Sequence, residues 1–266
     1  MTLVVVPTPI GNLEDITLRA LRALQEADLV ACEDTRRTGR LLAHYGIKKD
    51  LLAYHEHNEE QLTSELAERA RTESVALVSD AGTPLVSDPG YRLVSACIGA
   101  GVEVEVLPGP SAPITALVAS GLPADTVVFM GFLPRRGRQR TELFTRIRGV
   151  KATFVLFESP RRLGKTLEEL PAGAQVAVCR ELTKLHQEVF RGTAGEAARH
   201  FSEAPKGEIV LVVRGGKDAE SSSLERAVEL ARGHVARGES PSRAASRAAR
   251  ESGRRKGEIY ARLVGP

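Results

Sequence analysis

The chain of 266 residues contains no tryptophan, two methionines and three cysteines, and only 4% of its positions are aromatic. Aromatic stacking platforms of the kind that grip single-stranded nucleic acid are therefore not advertised. Cys32, Cys97 and Cys179 stand far apart, with no CxxC and no clustered histidines. That spacing argues against a disulfide framework or a zinc site and fits a reducing compartment. Neither G-x-x-x-x-G-K-[ST] nor G-x-G-x-x-G occurs, so the familiar phosphate-cradling loops are missing. The longest uncharged stretch, Val106–Ala124, has the length of a membrane span but carries Pro108, Pro110, Pro113 and Pro123. The start, MTLVVVPTPIGN, has no basic leader and breaks at Pro7 and Pro9 before an apolar run can form. A soluble, cytoplasmic protein with no membrane association is expected.

What is present is enough for real cores: 42% hydrophobic and 27% charged positions, with 24 Gly and 14 Pro. At roughly 100–200 residues per domain, two domains with a small appendage are predicted. The net charge of +3 says little about partners, but its distribution says more. Residues 217–266 carry 11 Lys/Arg against 7 Asp/Glu, while the rest is close to balance.

Short apolar runs at Leu3–Val6, Leu29–Cys32, Leu51–Tyr54, Val75–Val78 and Val102–Leu107 alternate with helical periodicity over Ile16–Ala27, Gly39–Tyr45, Glu59–Arg71 and Tyr91–Ala100. This order predicts a parallel sheet with helices on both faces. Beyond Pro113 the runs at 126–132, 152–157, 175–179, 187–191 and 208–214 include neighbours too close for helical crossovers, which predicts a second, mixed sheet. Gly215–Asp218 with Ser221–Ser223 reads as a linker. The Ala/Arg-rich tail, broken at Gly238–Pro241 and Gly253, reads as three short helices. The fold class is thus α/β, with two α/β lobes (1–113 and 114–216) and a basic helical module (217–266).

Polar and small residues gather where the first-lobe strands end: Pro7–Asn12, Glu33–Arg36, His55–Asn58, Ser79–Pro84 and Pro108–Ala112. In open α/β sheets that edge holds the ligand. Tight Gly/Pro turns that present backbone groups suit a neutral or zwitterionic ligand better than a triphosphate.

These loops also carry a resemblance. VVPTPIGNLEDITLRAL (5–21), CEDTR (32–36), YHEHNE (54–59), LVSDAGTPLVSDPGY (77–91), VLPGPSA (106–112), GFLPRR (131–136), FESPRR (157–162) and RELTKLHQEVFRG (180–192) together resemble the small-subunit ribosomal RNA methyltransferase I family, in the tetrapyrrole methylase superfamily. The resemblance implies 2′-O-methylation of a decoding-centre cytidine in 16S rRNA of the small ribosomal subunit, with S-adenosylmethionine as donor. It further implies two α/β lobes with the donor in the cleft between them, and a homodimer. Carried over by motif, Pro9 and Ile10 lie under the donor. Asp80, Ala81, Gly82 and Leu85 hold its methionine and ribose, and Ser111 and Ala112 also touch it. Phe157, Glu158 and Leu182, from the second lobe, close over the adenine side.

A ribose 2′-OH is a poor nucleophile at neutral pH, so a positioned base is useful. Glu33, Asp34, His55, His57, Asp88 and Glu158 lie on the loops in question, with Glu33, Asp34 and Glu158 the leading catalytic candidates. Alternatives stand beside them. Glu33 and Asp34 suit an ion-pair cluster with Arg36 and Arg37. Glu158 suits an N-cap for a helix over Arg161–Leu170, and positioning alone suits a sulfonium donor. His55 and His57 lack a third ligand, so no metal is predicted. Arg36, Arg37, Arg135, Arg136, Arg161 and Arg162, with Arg138 and Arg140 nearby, are candidate RNA contacts, since guanidinium binds phosphate in a bidentate manner. The tail around 240–260 is helix-turn-helix-like, and either grips rRNA or solvates a small bundle. A tetrapyrrole methylase and a noncatalytic ribosome-assembly factor are the rival readings.

Overall fold

Successive side chains of a strand point to opposite faces of its sheet, and the three central strands of the N-terminal sheet are buried on both faces. The computed structural model describes every residue except Lys217, Gly253 and Pro266, and the side chains of 218–223 are likewise left undescribed. The chain divides into two units, Met1–Thr115 with Leu182–Lys184, and Ala116–Glu181 with Leu185–Pro266.

In the first unit, β1 (Thr2–Val5), β2 (Leu29–Cys32), β3 (Leu51–Ala53), β4 (Val75–Val78) and β5 (Glu103–Val106) form a parallel sheet in the order β3-β2-β4-β1-β5. Leu3, Leu29, Ala31, Val75 and Leu77 face one side, where α3 (Glu59–Arg69) and α4 (Tyr91–Gly99) bring Leu66, Leu93 and Cys97. Val4, Val30, Cys32, Ala76 and Val78 face the other, against Ala20 and Leu24 of α1 (Leu18–Glu26) and Leu42 of α2 (Thr35–His44). The chain leaves β1 toward β2 and leaves β4 toward β5, so adjacent strands send their loops in opposite directions. That divergence opens a crevice at the carboxyl edge.

The second unit begins on α5 (Ala112–Ser120) and builds a mixed sheet, β6-β7-β10-β8-β9. Its strands are β6 (Val127–Phe132), β7 (Thr153–Glu158), β8 (Gln175–Arg180), β9 (Glu188–Thr193) and β10 (Ile209–Arg214). Only β6 and β7 run parallel; the other pairs are antiparallel. Helices α6 (Arg138–Gly149), α7 (Pro160–Glu169) and α8 (Ala194–His200) bury Phe144, Leu163, Leu167 and Ala197 against it. The tail forms three helices, α9 (Asp218–Ala236), α10 (Pro241–Ser252) and α11 (Lys256–Val264).

Several boundaries differ from the sequence reading. Helix α2 starts at Thr35, not Gly39, because Asp34 caps it by accepting from the Arg36 N–H at 2.8 Å. The expected linker is mostly helix, since α9 opens at Asp218; Lys217, and Gly253 in the tail, lie outside the described residues. The N-cap of α7 is Ser159, not Glu158, with Pro160 in the first turn. All three cysteines are buried free thiols. No helix among the described residues is long and apolar enough to cross a membrane.

Candidate functional site

The β1 and β4 loops are sewn together at the carboxyl edge of the first sheet. Thr8 and Gly82 exchange both backbone hydrogen bonds at 2.9 Å, and the buried Thr8 hydroxyl donates to the Ser79 carbonyl at 3.1 Å. Gly82 sits at φ +81°, and a Cβ there would stand 3.4 Å from Ile10 Cγ2. The Thr83 hydroxyl donates to the Pro110 carbonyl at 3.2 Å and brings in the loop after β5. Pro9, Ile10, Gly82 and the segment preceding Ser111 and Ala112 are thereby gathered on one edge of one sheet.

Leu182 differs from expectation, because Leu182–Lys184 belongs with the first unit. Gly11 explains why: a Cβ on it would come within 2.8 Å of the Leu182 carbonyl, so the close approach needs a glycine. Leu85 (φ 72°), Ser87 (φ 70°), Glu181 (φ 51°) and Thr183 (φ 65°) are the left-handed non-glycine residues among those described. They occupy just two loops, the one after β4 and the one holding Leu182. Backbone strain of this kind persists where the surroundings over-determine it, commonly around a ligand.

Carboxylates crowd the same edge. Asp80 accepts from the Asp34 N–H at 3.1 Å and holds Arg37 Nη1 at 3.3 Å, while the Asp80 N–H reaches Glu33 Oε2 at 3.4 Å. Burial, and then the Asp80 charge, push the Glu33 carboxyl above its usual range. Asp88 is raised to about 6, first by burial and then by the Glu33 charge. Asp34 goes the other way: the Arg36 side chain bonds it twice, at 2.8 and 3.1 Å, and holds it ionised far below the ordinary carboxylate range. Asp34 is thus occupied with capping α2 and orienting Arg36. Beside Glu33, the Nδ1 of His55 is buried without a hydrogen-bond partner among the described residues.

Between the β1 and β4 loops and α2 lies a cavity of about 200 Å³, walled by Thr8, Pro9, Ser79 and Asp80 on one side. Leu13 also lines it, and Arg37, Thr38, Arg40 and Leu41 form the α2 side. The sequence reading had Arg40 and Leu41 in a helix over Gly39–Tyr45 but left Arg37 and Thr38 outside it, so the shared face of the four was missed. With Asp34 as the cap, residues 37, 38, 40 and 41 fall together on the first turns of α2.

The nominees of the second unit have other commitments. Glu158 has a fully buried side chain; Oε1 takes Arg162 and the Ser159 N–H, both at 2.7 Å, and Oε2 accepts from Thr166 at 2.7 Å. Arg162 donates besides to the Leu133 carbonyl and Ser159 Oγ. This geometry makes the pair an anchor of α7. Arg140, expected on a basic loop, is buried against Glu169, Thr166 and the Pro134 carbonyl, and Arg138 pairs with Glu142 on α6. Arg135, Arg136 and Arg161 are exposed. Phe157 contacts Phe129 and Phe132, with ring centroids 5.3 and 5.2 Å apart.

A doubly wound parallel sheet with interlocked β1 and β4 loops, followed by a mixed five-stranded sheet, defines an α/β protein of two units with a ligand edge on the first. The fold is similar to a crystal structure of uroporphyrin-III-C-methyltransferase from Thermus thermophilus (TM-score 0.58, 25% identity, 80% of this chain and 94% of that one). It is also similar to that of a diphthine synthase (TM-score 0.65, 19% identity, 81% and 90%). Residues 2–198 match the family Tetrapyrrole (Corrin/Porphyrin) Methylases. A Mesorhizobium japonicum relative, "Ribosomal RNA small subunit methyltransferase I", is 48% identical over 98% of this chain and 91% of its own length. Its namesakes from Thermotoga maritima (48%; 80% and 98%) and Escherichia coli O157:H7 (47%; 82% and 79%) are similarly related. The chain belongs to the tetrapyrrole methylases and, within them, to the ribosomal RNA small subunit methyltransferase I family.

The methyl donor of this class is S-adenosylmethionine, and the first-unit edge suits it. The glycine cradle at Gly82 and the bare backbone of the interlocked loops can face a small zwitterion. The carboxylates of Glu33 and Asp88 beside these loops suit a ligand with ammonium and sulfonium charges.

Proposed function

We propose that this chain methylates the 2′-oxygen of a decoding-centre cytidine in 16S rRNA, on the small ribosomal subunit in the cytoplasm, as a homodimer. The observation that carries the reading is identity of 47–48% to ribosomal RNA small subunit methyltransferase I proteins over four-fifths or more of the chain. In support of the homodimer, Ile114 and Val118, one turn apart on α5, present exposed apolar side chains.

S-adenosylmethionine supplies an electrophilic methyl group on a good leaving group. The chain's own work is to hold that methyl in line with the ribose oxygen, an effect worth up to ~7–11 kcal/mol in well-oriented systems. We assign Pro9, Ile10, Asp80, Ala81, Gly82, Leu85, Ser111, Ala112 and Leu182 to donor binding. Asp80 acts there by fixing the loops, since both its oxygens already hold partners in the chain. Proton acceptance from the 2′-OH falls to Asp88 or Glu33, whose carboxyls are poised upward, rather than to Asp34 or Glu158, which are locked in ion pairs. Arg135, Arg136 and Arg161 stand exposed for RNA phosphates.

The test supplies labelled S-adenosylmethionine to undermodified small subunits, naked 16S rRNA and a tetrapyrrole, followed by alkaline hydrolysis of the RNA. A methylated 2′-oxygen leaves an alkali-resistant dinucleotide containing methylcytidine, the expected product. Label in the tetrapyrrole alone would reassign the substrate, and donor binding without transfer would point to an assembly factor.

A further inference from the structure

The cavity on the inner side of α2 has a property that the donor site does not require. Three arginines, Arg36, Arg37 and Arg40, project from the first turns of this helix. Arg36 is bound by Asp34 and Arg37 by Asp80. Arg40 lines the cavity and is exposed to solvent, and it forms no ion pair or hydrogen bond within the described residues. With Asp80 offset by Arg37, the cavity keeps one uncompensated positive charge, beside the Thr8 and Pro9 loop that walls it opposite.

We propose that this cavity is a phosphate subsite for the substrate RNA, with Arg40 as the residue that grips the phosphate next to the acceptor ribose. The assignment rests on the rRNA reading and deepens it. Size supports a subsite rather than a pocket for a whole small ligand. Such pockets span about 300–1,000 Å³, so a cavity of about 200 Å³ takes one unit of something larger. The lining favours an oxyanion through one free guanidinium, that of Arg40, with apolar Leu13, Leu41 and Pro9 for the sugar. Two sources can supply that oxyanion, an RNA phosphate and the carboxylate of the donor. Arg40 is exposed on α2 and faces loops assigned to the donor, so substitutions at Arg40 have to tell the two sources apart. Pinning one phosphate there would fix the neighbouring ribose beside Pro9, which is the positioning that in-line transfer needs.

Wild type, Arg40→Gln and Arg40→Lys are compared for KM and kcat on undermodified subunits, for the salt dependence of that KM, and for donor affinity by calorimetry. Arg40→Gln is expected to raise the subunit KM about tenfold and to make the log–log salt slope shallower by about 0.7–1. Its kcat should stay within about twofold and its donor affinity should not change. Arg40→Lys, which keeps a point charge, should recover most of the loss. An unchanged subunit KM and slope in Arg40→Gln would overturn the subsite. So would weaker donor affinity at constant subunit KM, which would move the oxyanion to the donor. If the wild type itself transfers nothing to rRNA, the substrate reading fails first and the subsite falls with it.

Discussion

Asp88 is a carboxyl costly to the fold, and a proposed acceptor of the ribose proton. Burial and the neighbouring Glu33 charge raise it to about 6, so the folded chain holds a proton that the unfolded chain has already released. Between about pH 4 and 6 the native state therefore binds more protons, and stability falls as pH rises through that window. Asp88→Asn removes the cost. Two pH units are worth ~2.7 kcal/mol when fully shielded, and partial exposure reduces this to about 1 kcal/mol. At pH 7 the variant should denature at higher urea than wild type, and the fall between pH 4 and 6 should flatten. If Asp88 accepts the ribose proton, the same variant loses about 10²–10⁴-fold in kcat. The wild-type rate should then rise with pH through about 6. A variant that is stabilised but fully active would show that this carboxyl takes no part in transfer. Glu158 is the opposite case. Its buried carboxylate meets Arg162 and Thr166, and breaking such a pair costs ~3–5 kcal/mol. Glu158→Gln should lower the denaturation midpoint of the second unit while leaving donor affinity intact. Lost donor affinity at an unchanged midpoint would instead return it to the donor-binding residues.

The elements themselves were largely legible. Four of the five first-unit strands are short apolar runs, β5 alternates Glu and Val, and close spacing beyond Pro113 pointed to the mixed second sheet in which β8 and β9 pair antiparallel. The loops of the candidate site stood out in the sequence because Gly, Pro and polar residues cluster where the first-unit strands end. What escaped was of two kinds. Helix α5 is almost uniformly apolar and shows no amphipathic contrast, and α2 hid its start because charge at Glu33–Arg37 reads as a loop until Asp34 is seen to cap it. Ion pairs between residues distant in sequence, such as Arg140 with Glu169, were also invisible, so buried arginines passed for free ones. The Thr8–Gly82 link gives a prediction for the loops as a unit. Alanine at Gly82 would be held at φ +81° and pressed toward Ile10, a strain of about 1–2 kcal/mol. Donor affinity should fall about tenfold, while the urea midpoint of the second unit should not move. An unaltered donor Kd would show that the donor does not depend on this turn.

Over the whole chain, the helical module asks the largest question, because the family fold closes without a segment of its length. The Thermotoga maritima relative matches along 98% of its own sequence yet covers 80% of this one. The module carries a core made mainly of alanines, Ala227, Ala231, Ala244, Ala245 and Ala248 with Val228 and Ile259. Alanine buries little apolar surface, and polar links supplement it: buried His234 contacts Glu251 at 3.3 Å, and Arg247 binds both Glu239 and Glu251. On the outer side of α10, Arg243 and Arg250 are exposed and form no ion pair or hydrogen bond within the described residues. A segment with 11 basic against 7 acidic residues and this free stripe is better explained by phosphate than by core building. A chain ending at Gly216 should bind S-adenosylmethionine with unchanged affinity, because the residues proposed to bind the donor lie in the first unit. Its KM for the small subunit should rise, and the salt slope should become shallower by about 0.7 for each phosphate no longer neutralised. Calorimetry for the donor and methyl transfer across a salt series decide it. Equal slopes for both chains would leave the module's arginines with solvation alone, and weaker donor affinity would mean that the module supports the first unit's fold.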